Sequence, residues 1–308
     1  MAAEKLPRDK KDEAEFGSLG DAYMCYKGYL LPPYMEEDRI IDNELENFHL
    51  TKNDVIVAGF PKSGTTWMTR ILREMYGDWG LVEVHNRTVV PMIEWTVSQI
   101  HTEGVVGMAK KKFIEDPTLS GATHRLLKTR LPYDLLPSAA REENSCKLIH
   151  VTRNPKDVCV NCYFLERSHI PMTSPGKIMS WEDFVNNFSQ GRVVYGPWIT
   201  SVTEWWNHGP DENVLHVTYE EMVSKRQEIV QTLSDFLERP LSASDVKRVV
   251  KATHSDSVVY TIDESVFRRG MVGEWKNHFT EKQSQRFDRL VCSKLKSKGI
   301  EFLFEPYQ

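Results

Sequence analysis

The sequence predicts an α/β fold built on a parallel sheet, and three observations carry that prediction. Three short apolar runs of strand length, Val55–Ala58, Lys147–Thr152 and Asn213–Val217, are each followed by a polar turn and a helical pattern. Strands alternating with helices in this way favour a parallel sheet with helices on both faces. The loop after the first run is rich in small residues and opens a helix, a geometry that cradles a phosphate on backbone N–H groups. Ligands of such sheets sit at the C-terminal strand ends, where Pro61–Thr66, Arg153, Asn154 and Tyr219 fall.

The elements follow in chain order. Residues 1–20 read as a charged, disordered tail and 21–308 as the folded part. The stretch Asp54-Val55-Ile56-Val57-Ala58 reads as a buried strand, Gly59-Phe60-Pro61-Lys62-Ser63-Gly64-Thr65-Thr66-Trp67 as the loop, and Met68–Tyr76 as a helix. A nucleotide-triphosphatase loop would read G-x-x-x-x-G-K-[ST]. Both glycines are present, but Thr65 stands where the lysine would be, and the lysine has moved into the loop as Lys62. Two long segments, Gly104–Thr123 and Ser168–Ser180, read as surface loops that serve either as plain connections or as walls of a site.

After the second strand comes Arg153-Asn154-Pro155-Lys156-Asp157. Arginine at a strand end, with proline at the first helical turn, makes a second anion site, because the guanidinium donates two parallel hydrogen bonds. Asn161, in the helix that follows, is near enough to donate as well. A third basic stretch is Arg268-Arg269-Gly270-Met271-Val272-Gly273-Glu274-Trp275-Lys276, where glycines let backbone approach a phosphate closely. Three separated phosphate-type sites point to a nucleotide with phosphates at two ends. No acidic strand end of the kind that holds Mg²⁺ follows the loop, so the expected site is metal-free.

Composition limits the alternatives. The 308 residues suffice for one large domain or two small ones. A net charge of −5 gives no general basic field for nucleic acid, so an anion site must be local. No apolar run is long enough for a membrane span, and no secretory leader is evident. Five cysteines, an odd and scattered set, favour reduced thiols and the cytoplasm. Cys159 and Cys162, spaced C-x-x-C, lie on a helical pattern without a second metal-binding pair and read as core.

Taken together, these motifs resemble the cytosolic sulfotransferases, which move a sulfonate from 3′-phosphoadenosine 5′-phosphosulfate (PAPS) to small hydroxyl or amine acceptors and release the bisphosphate PAP. Pro61–Trp67 is similar to the family's 5′-phosphosulfate loop, Arg153–Asp157 to its 3′-phosphate segment, and Arg268–Lys276 to its C-terminal nucleotide motif. Tyr195-Gly196-Pro197-Trp198, Trp205-Trp206 and Tyr219-Glu220-Glu221-Met222 are further landmarks. The resemblance implies a single α/β domain from about Gly28 to the C-terminus. It places Lys62 at the transferring sulfonate and Ser63, Gly64, Thr65 and Thr66 on the 5′-phosphate. It places Trp67, Tyr219 and Thr253 at the base, and Arg153 and Asn161 on the 3′-phosphate, with Arg268, Arg269 and Gly270 closing over it. Lys128 matches a second lysine near the acceptor. No metal, membrane or nucleic acid is implied.

The chain departs from the pattern in Leu127-Lys128-Thr129-Arg130-Leu131-Pro132, where the family has histidine at the position of Arg130. That histidine takes the acceptor's proton, and an arginine, with a pKa above ~12, does not. Three outcomes follow: an enzyme for acidic acceptors such as phenols, whose anion Arg130 stabilises; a relocated base, with His124, His150 and His169 as candidates; or a nucleotide-binding protein with weak or no catalysis. Asn161 replaces the usual serine but still donates. The family's short dimer motif K-x-x-x-T-V-x-x-x-E keeps Lys276 and Thr280 but has Glu281 and Gln285 at its last two positions, which implies a monomer or a weak homodimer.

Overall fold

The computed structural model describes residues 24–32, 35–41, 43–77, 79–80, 82–84, 87–94, 124–142, 145–173, 179–209, 211–254 and 271–305. The predicted N-terminal tail and the segment Gly104–Thr123 lie outside them. In chain order the elements are β1 (Met24–Tyr26), β2 (Tyr29–Leu31), α1 (Glu37–Ile41), β3 (Asp54–Ala58), α2 (Thr65–Met75), β4 (Trp79–Gly80), β5 (Val82–Val84), β6 (Arg87–Val89) and β7 (His124–Thr129). There follow α3 (Ser138–Arg141), β8 (Lys147–Thr152), α4 (Pro155–Thr173), α5 (Trp181–Ser189), α6 (Trp198–Asn207) and β9 (Val214–Thr218). The chain closes with α7 (Tyr219–Ser224), α8 (Arg226–Phe236), α9 (Ala243–Ala252), α10 (Glu281–Phe287) and α11 (Ser293–Lys296).

Five strands form one parallel sheet in the order β4-β7-β3-β8-β9. The expected parallel α/β architecture is thus present. All five residues of β3 are buried, as a strand covered on both faces requires. Its side chains alternate between two cores. Ile56 and Ala58 join α4, α5, α6 and α10 through Val158, Phe184, Trp198 and Phe287. Val55 and Val57 join α2, α8 and α9 through Leu72, Leu233 and Val249.

Three boundaries differ from the sequence reading. The third strand is shifted by one residue, to Val214–Thr218. Helix α2 begins at Thr65, so the end of the predicted loop is its first turn. Helix α4 runs on to Thr173, so the first part of the predicted loop Ser168–Ser180 is helical.

Two strands of the sheet were not expected, the two-residue β4 and the longer β7. The latter reads His-Arg-Leu-Leu-Lys-Thr, and its charges mask an otherwise buried pattern. Arg125 is 2% exposed and grips Asp54 of β3 with two hydrogen bonds of 2.7 and 2.9 Å. A third, of 2.8 Å, goes to the His49 carbonyl. The pair sits where the register places Asp54 opposite Arg125. Such a buried pair persists only when the remaining polar atoms are also satisfied; Asp54 meets this by accepting the Thr51 N–H at 2.7 Å.

Candidate active site

The C-terminal ends of β3, β7 and β8 converge on the loop that enters α2. Gly59 leaves β3 with its N–H bound to the Thr129 carbonyl, and an added Cβ would lie 2.3 Å from the Val151 carbonyl oxygen. The loop therefore passes closer to β8 than any side chain allows. Lys62 follows with φ 69°, in the left-handed region that non-glycine residues seldom adopt. Gly64, at φ 108°, caps α2, and no side chain caps the helix in its place. The helix has no acidic residue in its first turn. The N–H groups of Gly64, Thr65 and Thr66 have no hydrogen-bond partner among the described residues. Open N–H groups at the positive end of a helix dipole form an anion site.

The Gly64 position is crowded by Tyr219: an added Cβ would lie 2.6 Å from its Cδ2. We expect Gly64→Ala to cost about 1–3 kcal/mol through strain at positive φ and displacement of Tyr219. A lowered Tm together with weakened PAP binding would bear this out; an unchanged Tm and affinity would refute it.

Tyr219, the first residue of α7, joins Trp67 to the second anion site. Its ring lies 5.5 Å from that of Trp67, and the Arg153 guanidinium stacks over it at 4.1 Å. Trp67 Nε1 donates to the Thr253 carbonyl at 2.9 Å. Thr253 spends its hydroxyl on the Val249 carbonyl, so it borders this site through its backbone. Trp67, Tyr219 and Thr253, expected together at the base, are brought together.

Arg153 is 3% exposed and begins the turn from β8 into α4. Its Nη2 donates to the Met271 carbonyl at 2.9 Å, while its Nε is buried without a partner. Asp157 fastens this corner. Its carboxylate accepts from Asn154 Nδ2, from the Gly273 N–H and from the Trp275 N–H, at 2.8 to 2.9 Å. Asn161, one turn on, donates to the Asp157 carbonyl at 2.7 Å. Arg268, Arg269 and Gly270 lie outside the described residues. The segment that follows them is nevertheless held against Arg153 and Asp157.

On the other side stand Lys128 and Arg130, at the end of β7. Lys128 lies opposite Val57 in the register, and its N–H donates to the Pro91 carbonyl at 2.9 Å. The Arg130 N–H donates to Glu94 Oε1 at 2.7 Å. Burial holds the Lys62 ammonium below its usual pKa; the Cys162 side chain opposes this, and Arg130 and Arg153 add to it. The Cys162 thiol, 3.5 Å from the Pro61 carbonyl, is pushed up to about 12 by burial and remains protonated. Cys159 and Cys162 are both buried, in keeping with their reading as core.

Two of the three histidines considered as bases are placed elsewhere. His124 starts β7, with its ring edge-on to Trp79 at 6.1 Å. Four residues of strand put it ~13 Å from Lys128. His150 is 1% exposed, stacked on Trp205 at 4.8 Å, with its Nδ1 3.0 Å from that of His216. Burial and His216 hold it neutral. The side chain of His169 lies outside the description. Sequence reading missed Glu94, which is wholly buried. Its signal was a lone carboxylate directly after the apolar run Val89-Val90-Pro91-Met92-Ile93 and before Trp95.

A family profile described as "Sulfotransferase domain" matches residues 52–299. The chain belongs to the sulfotransferase family. This sulfotransferase is 32% identical over 277 residues to sulfotransferase 1B1 of Mus musculus, covering 84% of this chain and 88% of that protein. It is 33% identical over 280 residues to sulfotransferase 1B1 of Canis lupus familiaris, covering 85% and 90%. Its structure resembles that of mouse sulfotransferase SULT7A1 complexed with PAP, at TM-score 0.72 and 26% identity over 89% of this chain and 95% of that one. A retinol dehydratase complex shares the fold at 18% identity and TM-score 0.73, over 96% of this chain and 97% of that one. The sulfotransferase thus moves a sulfonate from PAPS to a small-molecule acceptor. Its own residues fit the donor: Ser63 Oγ and Arg153 Nε are buried polar atoms without partners. Among the described residues no helix is long and apolar enough to cross a membrane.

Proposed function

We propose that this sulfotransferase acts on phenols and comparably acidic hydroxyls in the cytoplasm. The observation that carries the reading is Arg130, which stands where the family has histidine and shares its surroundings with Lys62, Lys128 and the buried Glu94. A guanidinium cannot take a proton, but it stabilises a phenolate oxygen. An acceptor that ionises near neutral pH suits such a site; an alkanol does not.

In this reading the N–H groups of Gly64, Thr65 and Thr66, with the Ser63 hydroxyl, hold the 5′-phosphate. Trp67, Tyr219 and Thr253 border the adenine. Arg153, Asn161, Arg268, Arg269 and Gly270 hold the 3′-phosphate. PAPS supplies a sulfonate already bonded to a phosphate leaving group. Lys62 stands where negative charge grows on the bridging oxygen, so its attraction is larger in the transition state than in the ground state. A monomer or weak homodimer fits the dimer motif: Glu281 replaces its valine and is exposed, and Thr280 caps α10. All five cysteines are thiols, in keeping with a reducing compartment.

The test is a transfer assay with labelled donor against phenols of graded pKa, alkanols and amines. Phenols should turn over and alkanols should lag by about 10²-fold or more, because their oxyanion is far less accessible near neutral pH. Arg130→His should narrow that gap. Equal rates for alkanols and phenols would overturn the acceptor class. PAP binding without any product would overturn the enzymatic reading.

A further inference from the structure

The exclusion of Arg130, His124 and His150 leaves the question of where the acceptor's proton goes. His169 lies outside the described side chains; among the described groups around the β7 end, Cys162, Glu94 and Lys62 are unsuited. Cys162 is held protonated by burial. Glu94 is 0% exposed, burial raises its carboxyl pKa against the pull of the Arg130 N–H and charge, and its Oε1 is already bound to that N–H, so no acceptor reaches it. Lys62 belongs to the loop around the anion site at the start of α2.

Lys128 has the remaining qualifications. It is partly accessible, and no hydrogen bond from the described residues occupies its Nζ. Its backbone lies alongside the segment that carries Glu94: Lys128 bridges to Met92, and Arg130 bonds to Glu94 itself. Glu94 Oε2 is buried with no partner. Two charged groups face the ammonium: Arg130 repels it and Glu94 attracts it. Arg130 in turn repels Lys62, as does Arg153.

We propose that the neutral amine of Lys128 takes the proton of the acceptor hydroxyl, with Glu94 stabilising the ammonium that forms. This rests on the reading of the chain as a transferase for acidic hydroxyls. The acceptor O–H bond breaks and an N–H bond forms on Lys128. The electron pair released from O–H becomes the new O–S bond. The S–O bond to the nucleotide phosphate breaks with its pair on the phosphate. The ammonium then returns its proton to water. Burial and the Arg130 charge pull Lys128 down to about 8, so a useful share of the amine is neutral near pH 7. Arg130 then has two tasks, holding the phenolate and keeping the lysine basic form populated. An arginine in place of histidine suits both.

Two measurements test this, and the first needs no turnover. After reductive methylation with ¹³C-formaldehyde, the Lys128 resonance, assigned by its absence in Lys128→Arg, is followed by NMR against pH. It should titrate near pH 8, and Glu94→Gln should move it lower, because the attracting carboxylate is gone. Titration in the ordinary lysine range, near 10, would overturn the proposal. In the second, transfer is measured for phenols of graded pKa in wild type, Lys128→Arg and Lys128→Met. Lys128→Arg keeps the charge but not the base. It should lose at least about 10²-fold on phenols of high pKa and much less on nitrophenols already ionised at the assay pH. It should also lose the rise of kcat/KM with pH through about 8. Equal losses on both classes of phenol would overturn the assignment while leaving the transferase reading intact. PAP binding with no transfer by the wild type would overturn both.

Discussion

Lys62→Met is expected to lower kcat by about 10²–10³-fold while changing PAP affinity by only a few-fold. Methionine keeps an unbranched apolar stem and removes only the ammonium. Lys62 is held in place by the backbone: φ 69° costs on the order of 1 kcal/mol for a non-glycine residue, and a strained residue in a phosphate loop is paid for by its task. Burial and the neighbouring guanidinium groups of Arg130 and Arg153 make its charge less stable than in water. Such a cation gains most when negative charge develops beside it, which happens as the bond to the leaving phosphate breaks. Single-turnover assays and PAP calorimetry separate the two effects. Unchanged kcat in the variant would remove Lys62 from the reaction centre.

The second large effect falls on binding. Arg153→Ala should weaken PAP by about 10²–10³-fold, in the range of 2–4 kcal/mol expected when a buried charged partner is deleted. The substitution removes the buried Nε, which has no protein partner and is proposed for the 3′-phosphate, the 2.9 Å bond to the Met271 carbonyl, and the stack on Tyr219 at 4.1 Å. The first acts on the nucleotide directly. The other two loosen the C-terminal segment and the base site. Arg153→Lys restores the charge without the planar fork, so it should recover only part of the affinity. Calorimetric affinity within three-fold of wild type for Arg153→Ala would place the 3′-phosphate elsewhere. Opposite signatures are therefore expected at the two ends of the site, a kcat loss at Lys62 and a Kd loss at Arg153.

Much of this site was legible in the sequence because local chain geometry makes it. The loop Gly59–Thr66, the Arg153 turn and the Tyr219 helix start each follow a continuous apolar strand, and such strands announce themselves. Strand β7 did not. Its polar residues do not mark an exposed surface: Arg125 is neutralised by Asp54 from a strand distant in sequence, and Lys128 lies half-buried opposite Val57 of β3. Hydrophobic periodicity cannot see a partner that only folding supplies. Glu94 was missed for the same reason. Its meaning comes from Arg130 and Lys128, which lie more than thirty residues further along. Conversely, His124 and His150 drew attention as residue types. Only the structure shows one at the far end of its strand and the other sealed under Trp205.

The ion pair between Asp54 and Arg125 has a reach beyond its own location. It lies where β3 and β7 begin, and it fixes which residue of one strand faces which residue of the other. Side chains along a strand alternate, so a slip by one position would turn Lys128 to the opposite face and carry Thr129 into its place. The aim of the proposed base is thus set at the end of the sheet remote from the chemistry. A change at Asp54 or Arg125 would register first as a misdirected lysine, in a protein that still holds its nucleotide.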